Sequence, residues 1–337
     1  MTSYVLILPL AISLATVLFL MPWWIRKVKF IGLVWDDMNK SKSEKIAGSG
    51  GLIVLLAFIL GVLTYISYRV FLLGVKNGNL VEIFAILVCV IFMGFIGFMD
   101  DLLGWRRGGL SIKSRVLLVI FGAVPLIAIN AGKSTMVFPF FGAIDIGLIY
   151  PLFLIPIGFL ATTTTFNILA GFNGLEAGQG IILLSGLGMV AYLTSNPWLS
   201  VICFCMVLAL IGFLKYNWVP AKVFPGDVIT YSIGALIAAV TIVGNFEKIA
   251  FFFYIPYILE VILKSRGRLK KSSFGKINNE GCLDNQYSKI YSLNHLAIWL
   301  LKKVNIKSTE KNAVLTILAF QFVVIVLGFY LFRASLF

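Results

Sequence analysis

Residues 82–101 read EIFAILVCVIFMGFIGFMDD, an apolar run that ends in two adjacent aspartates. No charged residue lies between Glu82 and Asp100. Such a run is close to the roughly 20 apolar residues that a helix needs to cross the hydrocarbon of a bilayer. A helix also satisfies its own backbone hydrogen bonds, which lipid cannot do. The run therefore predicts a membrane-spanning helix with a pair of carboxylates at one end.

The rest of the chain has the same character. Of its 337 residues, 60% are hydrophobic and 12% are charged, which is too little polar surface to cover a soluble protein. We predict an all-α polytopic membrane protein in which residues 1–337 form a single integral membrane domain. About ten transmembrane helices are expected, at 4–23, 49–72, 82–99, 116–132, 149–166, 179–194, 197–214, 229–244, 249–263 and 312–331.

The positions of Lys and Arg predict how these helices are oriented, because short cytoplasmic loops retain positive charge. Of the 28 basic residues, 23 lie in the loops that follow the first, third, seventh and ninth segments. Both termini are therefore predicted to lie outside. Most of the basic residues are expected only to fix this topology. The predicted cytoplasmic loops are 24–48, 101–115, 167–178, 215–228 and 264–311.

Acidic side chains are costly in a bilayer, so the places of the 14 acids carry information. Asp100, Asp101, Glu176 and Asp227 all fall at predicted cytoplasmic helix ends. Clustered carboxylates near basic residues suit a divalent cation that holds a phosphate group. Alternatively, paired charges at a helix end only make that end soluble, and Asp227 closes an ordinary Pro-Gly-Asp turn. These residues alone leave both interpretations open.

Residues 167–179, NILAGFNGLEAGQ, break a segment at membrane depth without any basic residue. Irregular backbone is tolerated there only where it is buried in protein or lines a polar cavity. Its glycines would let a ligand approach the main chain closely. This stretch predicts a ligand site.

The long loop 264–311 contains an amphipathic pattern flanked by lysines, which is typical of a helix at the membrane interface. We expect His295 to be an interfacial side chain of that helix. The apolar residues at near-helical spacing are Ile290, Leu293, Leu296, Leu300, Leu301 and Val304.

Five stretches together resemble those of the polyprenyl-phosphate N-acetylhexosamine-1-phosphate transferase family: Asp37–Lys40, Gly94–Asp101, Asn167–Gln179, Tyr216–Trp218 and Val223–Asp227. The most similar branch uses UDP-GlcNAc and dolichyl phosphate. The resemblance implies ten spans with outward termini and a cytoplasmic active site. The membrane would be the plasma membrane, or the endoplasmic reticulum in a eukaryote.

The resemblance also implies an activity. GlcNAc-1-phosphate would pass from UDP-GlcNAc to a polyprenyl (dolichyl) phosphate, releasing UMP, as the first step of lipid-linked oligosaccharide assembly for N-glycosylation. The implied partners are these two substrates and membrane lipid, without nucleic acid, and a homodimer stays open. The implied cofactor is Mg²⁺, with Mn²⁺ as an alternative.

Site residues follow from the resemblance position by position. Asn167 and Asp227 would hold the metal. Asp100, Asp101 and Lys113 would be catalytic, although Lys113 stands a few residues further from Asp101 than the family spacing. The implied substrate-binding residues are Asn39, Gly171, Asn173, Glu176, Phe224, Arg266 and Arg268. Phe224 would stack on uracil, and the two arginines would grip the pyrophosphate.

The chain also departs from the family's bacterial branches, which have aspartates at the positions of Ala170 and Asn173. This argues against a muramyl-pentapeptide donor. Gly267 replaces a histidine of the most similar relatives, which leaves sugar recognition by that loop open.

Two other functions stay open. One is the same reaction with another UDP-N-acetylhexosamine, and the other is a polytopic lipid or solute transporter. Transporters place polar groups near the bilayer midplane, whereas the acids here gather at one face, which favours the enzyme. Whether Asp100 positions the acceptor, deprotonates it or acts as a nucleophile is undecided. We expect the isoprenoid chain to lie near residues 286–304.

Overall fold

The computed structural model describes residues 7–40, 44–75, 78–138, 142–278 and 281–336. This part of the chain is mostly helical, as predicted. The first three residues of the predicted segment 4–23 lie outside it. The α-helices are α1 (Ile7–Ile31), α2 (Gly51–Ser67), α3 (Leu80–Arg107), α4 (Ile112–Gly122), α5 (Val124–Ala128), α6 (Ile155–Ile168), α7 (Leu175–Leu193), α8 (Pro197–Asn217), α9 (Gly226–Gly244), α10 (Glu247–Phe253), α11 (Ile255–Arg266), α12 (Leu293–Lys303), α13 (Glu310–Leu331) and α14 (Arg333–Leu336). Two π-helical turns, Tyr68–Leu72 and Tyr150–Leu154, extend α2 and α6.

Within the described ranges, three short antiparallel strand pairs lie in the connections between helices, and the sequence pattern did not predict them. They are β1 (Val34–Asp36) with β2 (Lys45–Ala47), β3 (Thr135–Phe138) with β4 (Gly142–Asp145), and β5 (Lys276–Ile277) with β6 (Leu283–Asp284). The first and third pairs give structure to the two long loops that were predicted to be cytoplasmic.

Eight helices in the described residues are long and apolar enough to cross a membrane: Ile7–Ile31, Gly51–Leu72, Leu80–Trp105, Tyr150–Ile168, Leu175–Leu193, Pro197–Asn217, Gly226–Gly244 and Glu310–Leu331. They match eight of the ten predicted segments. The other two segments are each split into a pair of helices, α4 with α5 and α10 with α11. Pro125 and Pro256 stand at the start of the second helix in each pair. Proline has no N–H to continue a preceding helix, so it starts a new one.

Helix α9 is the centre of the bundle. Every residue from Val228 to Ile242 is buried, and α9 packs against α2, α3, α6 and α7. A helix that is apolar on all sides is expected to be enclosed in this way.

Glycines let α3 and α9 approach closely. A Cβ atom on Gly97 would lie 2.4 Å from the backbone oxygen of Asp227, and one on Gly94 would lie 2.7 Å from Ser232 Oγ. Small residues permit such contact between membrane helices. The contact places the end of α3, with Asp100 and Asp101, beside the first turn of α9.

Helix α12 confirms the predicted amphipathic helix, but the expected position of His295 is wrong. Its side chain is fully buried, because it shares the protein-facing side of α12 with Ile298, one turn further on. Burial lowers the pKa of the imidazole below its usual range. The Glu260 carboxylate of α11 accepts hydrogen bonds from Ser292 Oγ (2.9 Å) and the Leu293 amide (2.6 Å), and so caps α12.

The close contact between α3 and α9 predicts that one added methyl group lowers the free energy of unfolding. Gly97→Ala should destabilise the protein by about 1–3 kcal/mol, because neither backbone can move aside without disturbing a packed core. Gly158→Ala is the matched control, since Gly158 lies within α6 with no atom near its Cβ position. That variant should be unchanged or roughly 0.5–1 kcal/mol more stable. Melting temperatures in one detergent would compare them, and equal values for both variants would contradict the packing.

Candidate active site

A cavity of about 640 Å³ lies where the ends of α3, α6 and α9 meet the loop after α1. Nine of the twelve residues expected at the site line it: Asn39, Asp100, Asp101, Asn167, Gly171, Asn173, Glu176, Phe224 and Asp227. These nine residues come from four separate parts of the chain. The structure thus brings together most of the positions that the resemblance implies.

The remaining three, Lys113, Arg266 and Arg268, do not line the cavity. All three side chains are exposed. Lys113 lies on α4, Arg266 ends α11, and Arg268 follows it with a positive φ of 53°. The pyrophosphate-binding role of the two arginines stays a prediction, and the position of Lys113 does not favour its predicted role.

Asp100 is held in one orientation by three hydrogen bonds and an ion-pair contact with Arg115. Arg115 Nε lies 2.7 Å from Oδ2 and its NH2 nitrogen 3.0 Å from Oδ1. The Leu110 amide donates to Oδ1 at 2.8 Å and the Tyr231 hydroxyl to Oδ2 at 3.3 Å. Arg115 also lines the cavity. An arginine has five N–H donors, so the guanidinium retains donors for a phosphate group.

Arg115 was not identified from the sequence, although Lys113 two positions earlier was. Residues two apart on a helix point to nearly opposite sides. The spacing from Asp101 could not decide which of the two basic residues faces inward. Only the rotation of α4 about its own axis determines which of its sides faces the cavity.

Asp101 joins α3 to the start of α9. Its carboxylate accepts a hydrogen bond from Ser49 Oγ and one from the Asp227 amide, each at 2.8 Å. A carboxylate at a helix N-terminus satisfies a free N–H and interacts favourably with the helix dipole. Gly226 must be glycine here, since its φ is +70° and a Cβ atom would lie 2.1 Å from Asp101 Oδ2.

The acidic end of the cavity has oxygen donors that suit a hard cation. In the described ranges no group of three or more His, Cys, Asp or Glu is placed to hold a metal ion, and Asp100 and Asp101 already accept protein donors. The Asp227 carboxylate and the Asn167 side-chain amide remain as oxygen ligands for a metal ion. Asp227 lines the cavity together with Asp100 and Asp101, so three carboxylates would repel one another there without a cation. Two protein oxygens, completed by phosphate and water, fit Mg²⁺.

The break predicted between α6 and α7 is confirmed and forms another wall. Gly171 has a φ of +111°, and a Cβ atom would lie 3.1 Å from the Phe274 ring. Its amide donates to Glu176 Oε1 at 3.1 Å, and its carbonyl accepts from Asn39 Nδ2 at 2.8 Å. The loop therefore presents its backbone to the cavity, as its glycines suggested.

Asn173 ties this loop to two acids. Its Nδ2 donates to Asp37 Oδ2 and its amide to Glu310 Oε1, both at 2.9 Å. Glu310 begins α13, far away in sequence. Nothing in the sequence pattern linked Glu310 to the break, because an acid in the first turn of a helix is favourable in itself.

Phe224 lies on a loop that is fixed to the strand β2. Its amide donates to the Ala47 carbonyl at 2.8 Å, and its own carbonyl accepts from the Gly50 amide at 2.9 Å. The ring is thus carried by a backbone anchored on both sides. The cavity wall also includes Phe172 and Phe274, which adds aromatic surface.

A second, apolar groove of about 560 Å³ runs along α6, α9, α10 and α11. It is lined from Met136 and Tyr150 at one end to Val261 and Ile262 at the other. The expected lipid site near residues 286–304 does not coincide with it, because no lining residue comes from that segment. The apolar side of α12 instead packs into the protein through Leu293 and Ile298.

Comparison with known proteins agrees with this geometry. The family described as glycosyl transferase family 4 matches residues 83–245. A relative from Saccharolobus solfataricus, provisionally named a UDP-N-acetylglucosamine–dolichyl-phosphate N-acetylglucosaminephosphotransferase, is 35% identical over 87% of this chain and 88% of its own. A Dictyostelium discoideum protein with that name is 28% identical over 67% of this chain and 63% of its own.

A phospho-N-acetylmuramoyl-pentapeptide-transferase of Streptococcus pyogenes is 29% identical over 74% of this chain and 76% of its own. The similarity to these relatives extends beyond the segment that the family description matches. On this similarity, the chain belongs to glycosyl transferase family 4.

Proposed function

We propose that this chain transfers GlcNAc-1-phosphate from UDP-GlcNAc to a polyprenyl (dolichyl) phosphate and releases UMP. This would be the first step in assembling a lipid-linked oligosaccharide for N-glycosylation. The observation that carries the proposal is the cavity in which Asp100, Asp101 and Asp227 meet Arg115 at the ends of membrane helices. The names of the archaeal and Dictyostelium relatives supply the substrates.

The proposed setting is a plasma membrane, or the endoplasmic reticulum in a eukaryote, with the cavity on the cytoplasmic side. We propose ten crossings, counting each split helix pair as one, and both termini outside. The uneven distribution of the 28 Lys and Arg residues supports this orientation. UDP-sugars would then reach the cavity from the cytoplasm.

Asn167 and Asp227 are proposed to hold Mg²⁺ against the donor pyrophosphate. Bound there, the cation would neutralise phosphate charge and stabilise the leaving UMP. Asp101 would keep Asp227 in place, because it binds the Asp227 amide.

The acceptor needs little activation. A phosphate monoester loses its second proton near pH ~6, so the lipid phosphate is already largely dianionic. One of its oxygens would attack the β-phosphorus in line, and the bond from that phosphorus to UMP would break. The main task is to bring two anions together, and we assign it to Arg115 because it faces the cavity while Lys113 is exposed.

The apolar groove is proposed to hold the isoprenoid chain. It lies between α6, α9, α10 and α11, and α6 ends beside Asn167 at the polar cavity. A chain in the groove could therefore present its phosphate to the acidic end of the cavity.

Loss of the Asp227 carboxylate should abolish turnover. UMP release from UDP-GlcNAc should require both lipid phosphate and Mg²⁺, and Asp227→Asn should reduce it by about 100-fold or more, the effect of removing a group that stabilises transition-state charge. Asp284→Asn is the control, because Asp284 is a partly exposed acid paired with Lys302 outside the cavity. Full activity of Asp227→Asn would contradict the metal site.

We expect substitution of Arg115 to reduce activity far more than substitution of Lys113. Arg115→Ala should lower kcat/KM by about 100-fold, because it removes the cation that faces the phosphates and the positive charge that balances Asp100. Lys113→Ala should change it by no more than about threefold, as for an exposed charge. Radiolabelled product formation would measure both. The reverse order of effects would restore Lys113 as the phosphate-binding residue.

A side chain that fills the groove should raise KM for long polyprenyl phosphates and leave KM for short ones unchanged. Gly158 lies on its wall with open space at its Cβ position. Gly158→Leu should raise KM for a long polyprenyl phosphate about tenfold, a change that corresponds to about 1.4 kcal/mol of lost apolar contact. KM for a two-isoprene acceptor should stay unchanged, and Gly158→Ala is the size control. An equal effect on both acceptors would argue against the groove.

A further inference from the structure

Glu310 is a buried carboxylate that binds groups on the cavity wall without lining the cavity itself. Its side chain is 6% exposed. Oε1 accepts hydrogen bonds from the Asn173 amide at 2.9 Å and from Asn39 Nδ2 at 3.2 Å. Lys40 Nζ lies 3.6 Å from Oε2. One carboxylate therefore joins the start of α13 to both the loop after α1 and the break between α6 and α7.

The contacts of Asn39 fix the direction of its amide. Nδ2 donates one hydrogen to Glu310 and the other to the Gly171 carbonyl at 2.8 Å. The Asn39 backbone is also held, because its amide donates to Asp37 Oδ1 at 3.1 Å. With both Nδ2 hydrogens used, the amide cannot turn over without losing two hydrogen bonds.

This arrangement leaves two buried oxygens of the described residues without a hydrogen bond, Glu310 Oε2, which has the Lys40 ammonium nearby, and Asn39 Oδ1. Asn39 Oδ1 is buried and has no hydrogen bond within the described residues, while Asn39 itself lines the cavity. A buried acceptor without a donor costs free energy. Because Asn39 lines the cavity, a ligand bound there is the nearest source of a donor outside the protein.

We propose that Glu310 is a positioning residue that orients Asn39 so that Oδ1 accepts a hydrogen bond from an N–H or O–H group of the nucleotide. The inference rests on the proposed function, since it concerns the same cavity. Asn39 neighbours Gly171 and Asn173 rather than the acidic end. Gly171 and Asn173 are where the family resemblance places the nucleoside, so we assign the donor group to the uracil N3–H or a ribose hydroxyl.

A purely structural role is the competing explanation. Glu310 stands in the first turn of α13, where a negative charge favours the helix. Such a role would affect melting temperature and all kinetic constants alike. A positioning role should act on nucleotide affinity alone.

Substitution of Glu310 separates these roles. In Glu310→Ala, the dissociation constant of UDP and the KM for UDP-GlcNAc should rise about 10- to 100-fold, while kcat and the KM for lipid phosphate should change no more than about twofold. Glu310→Gln keeps an acceptor oxygen for Asn39 and Asn173, so it should stay within about threefold of wild type. Calorimetry with UDP alone and steady-state kinetics would give these values.

Glu260→Ala is the matched control, because Glu260 is also a buried acid that binds a helix N-terminus, but outside the cavity. It should lower the melting temperature without changing UDP affinity. A Glu310→Ala protein that behaves like this control, with wild-type affinity for UDP, would overturn the inference. If the wild-type protein binds UDP but releases no UMP from UDP-GlcNAc, the proposed transfer is contradicted and the inference about Glu310 is not.

Nucleotide analogues identify the donor group. Wild type should bind one of N3-methyl-UDP, 2′-deoxy-UDP and 3′-deoxy-UDP at least about tenfold more weakly than UDP, the loss expected when a buried acceptor stays unpaired. Asn39→Ala should bind that analogue and UDP equally. Retained discrimination in Asn39→Ala would exclude Oδ1 as the acceptor.

Discussion

The close packing of α3 against α9 is the constraint on which the site depends. Gly97 lets the two backbones touch, and Gly226 leaves room for the Asp101 carboxylate at the start of α9. Asp101 then binds the Asp227 amide. Because these contacts are made by backbone and short side chains, the acids have little freedom to move. The same glycines that pack two membrane helices thus fix the distance between the carboxylates.

Around this contact the cavity divides into two chemically different ends. The acidic end joins Asp100 and Asp227 to Arg115, which suits phosphate groups and a cation. The other end is built from the Gly171 backbone and the amide of Asn39. Its carboxylates, Asp37, Glu176 and Glu310, already accept hydrogen bonds from the protein, so this end suits neutral hydrogen-bonding groups. A nucleotide sugar has both kinds of group.

Much of this could be read from the sequence because lipid imposes strict rules. Eight of the ten predicted apolar segments are single helices, and the broken stretch at residues 167–179, where a ligand site was predicted, lines the cavity. The choice of Arg115 over Lys113 could not be predicted, since it depends on the rotation of α4. Glu310 was missed because its partners are more than a hundred residues away. His295 was misplaced because an amphipathic pattern does not tell whether its buried side faces lipid or protein.

The fate of the β-phosphorus tests the central claim most directly. UDP-GlcNAc labelled with ³²P in the β-phosphate would be incubated with purified protein, polyprenyl phosphate and Mg²⁺, and lipid and nucleotide products would be separated. Our account predicts that the label enters the lipid and that the released nucleotide is unlabelled UMP. Label that remains in released UDP would show transfer of the sugar alone and would contradict the account.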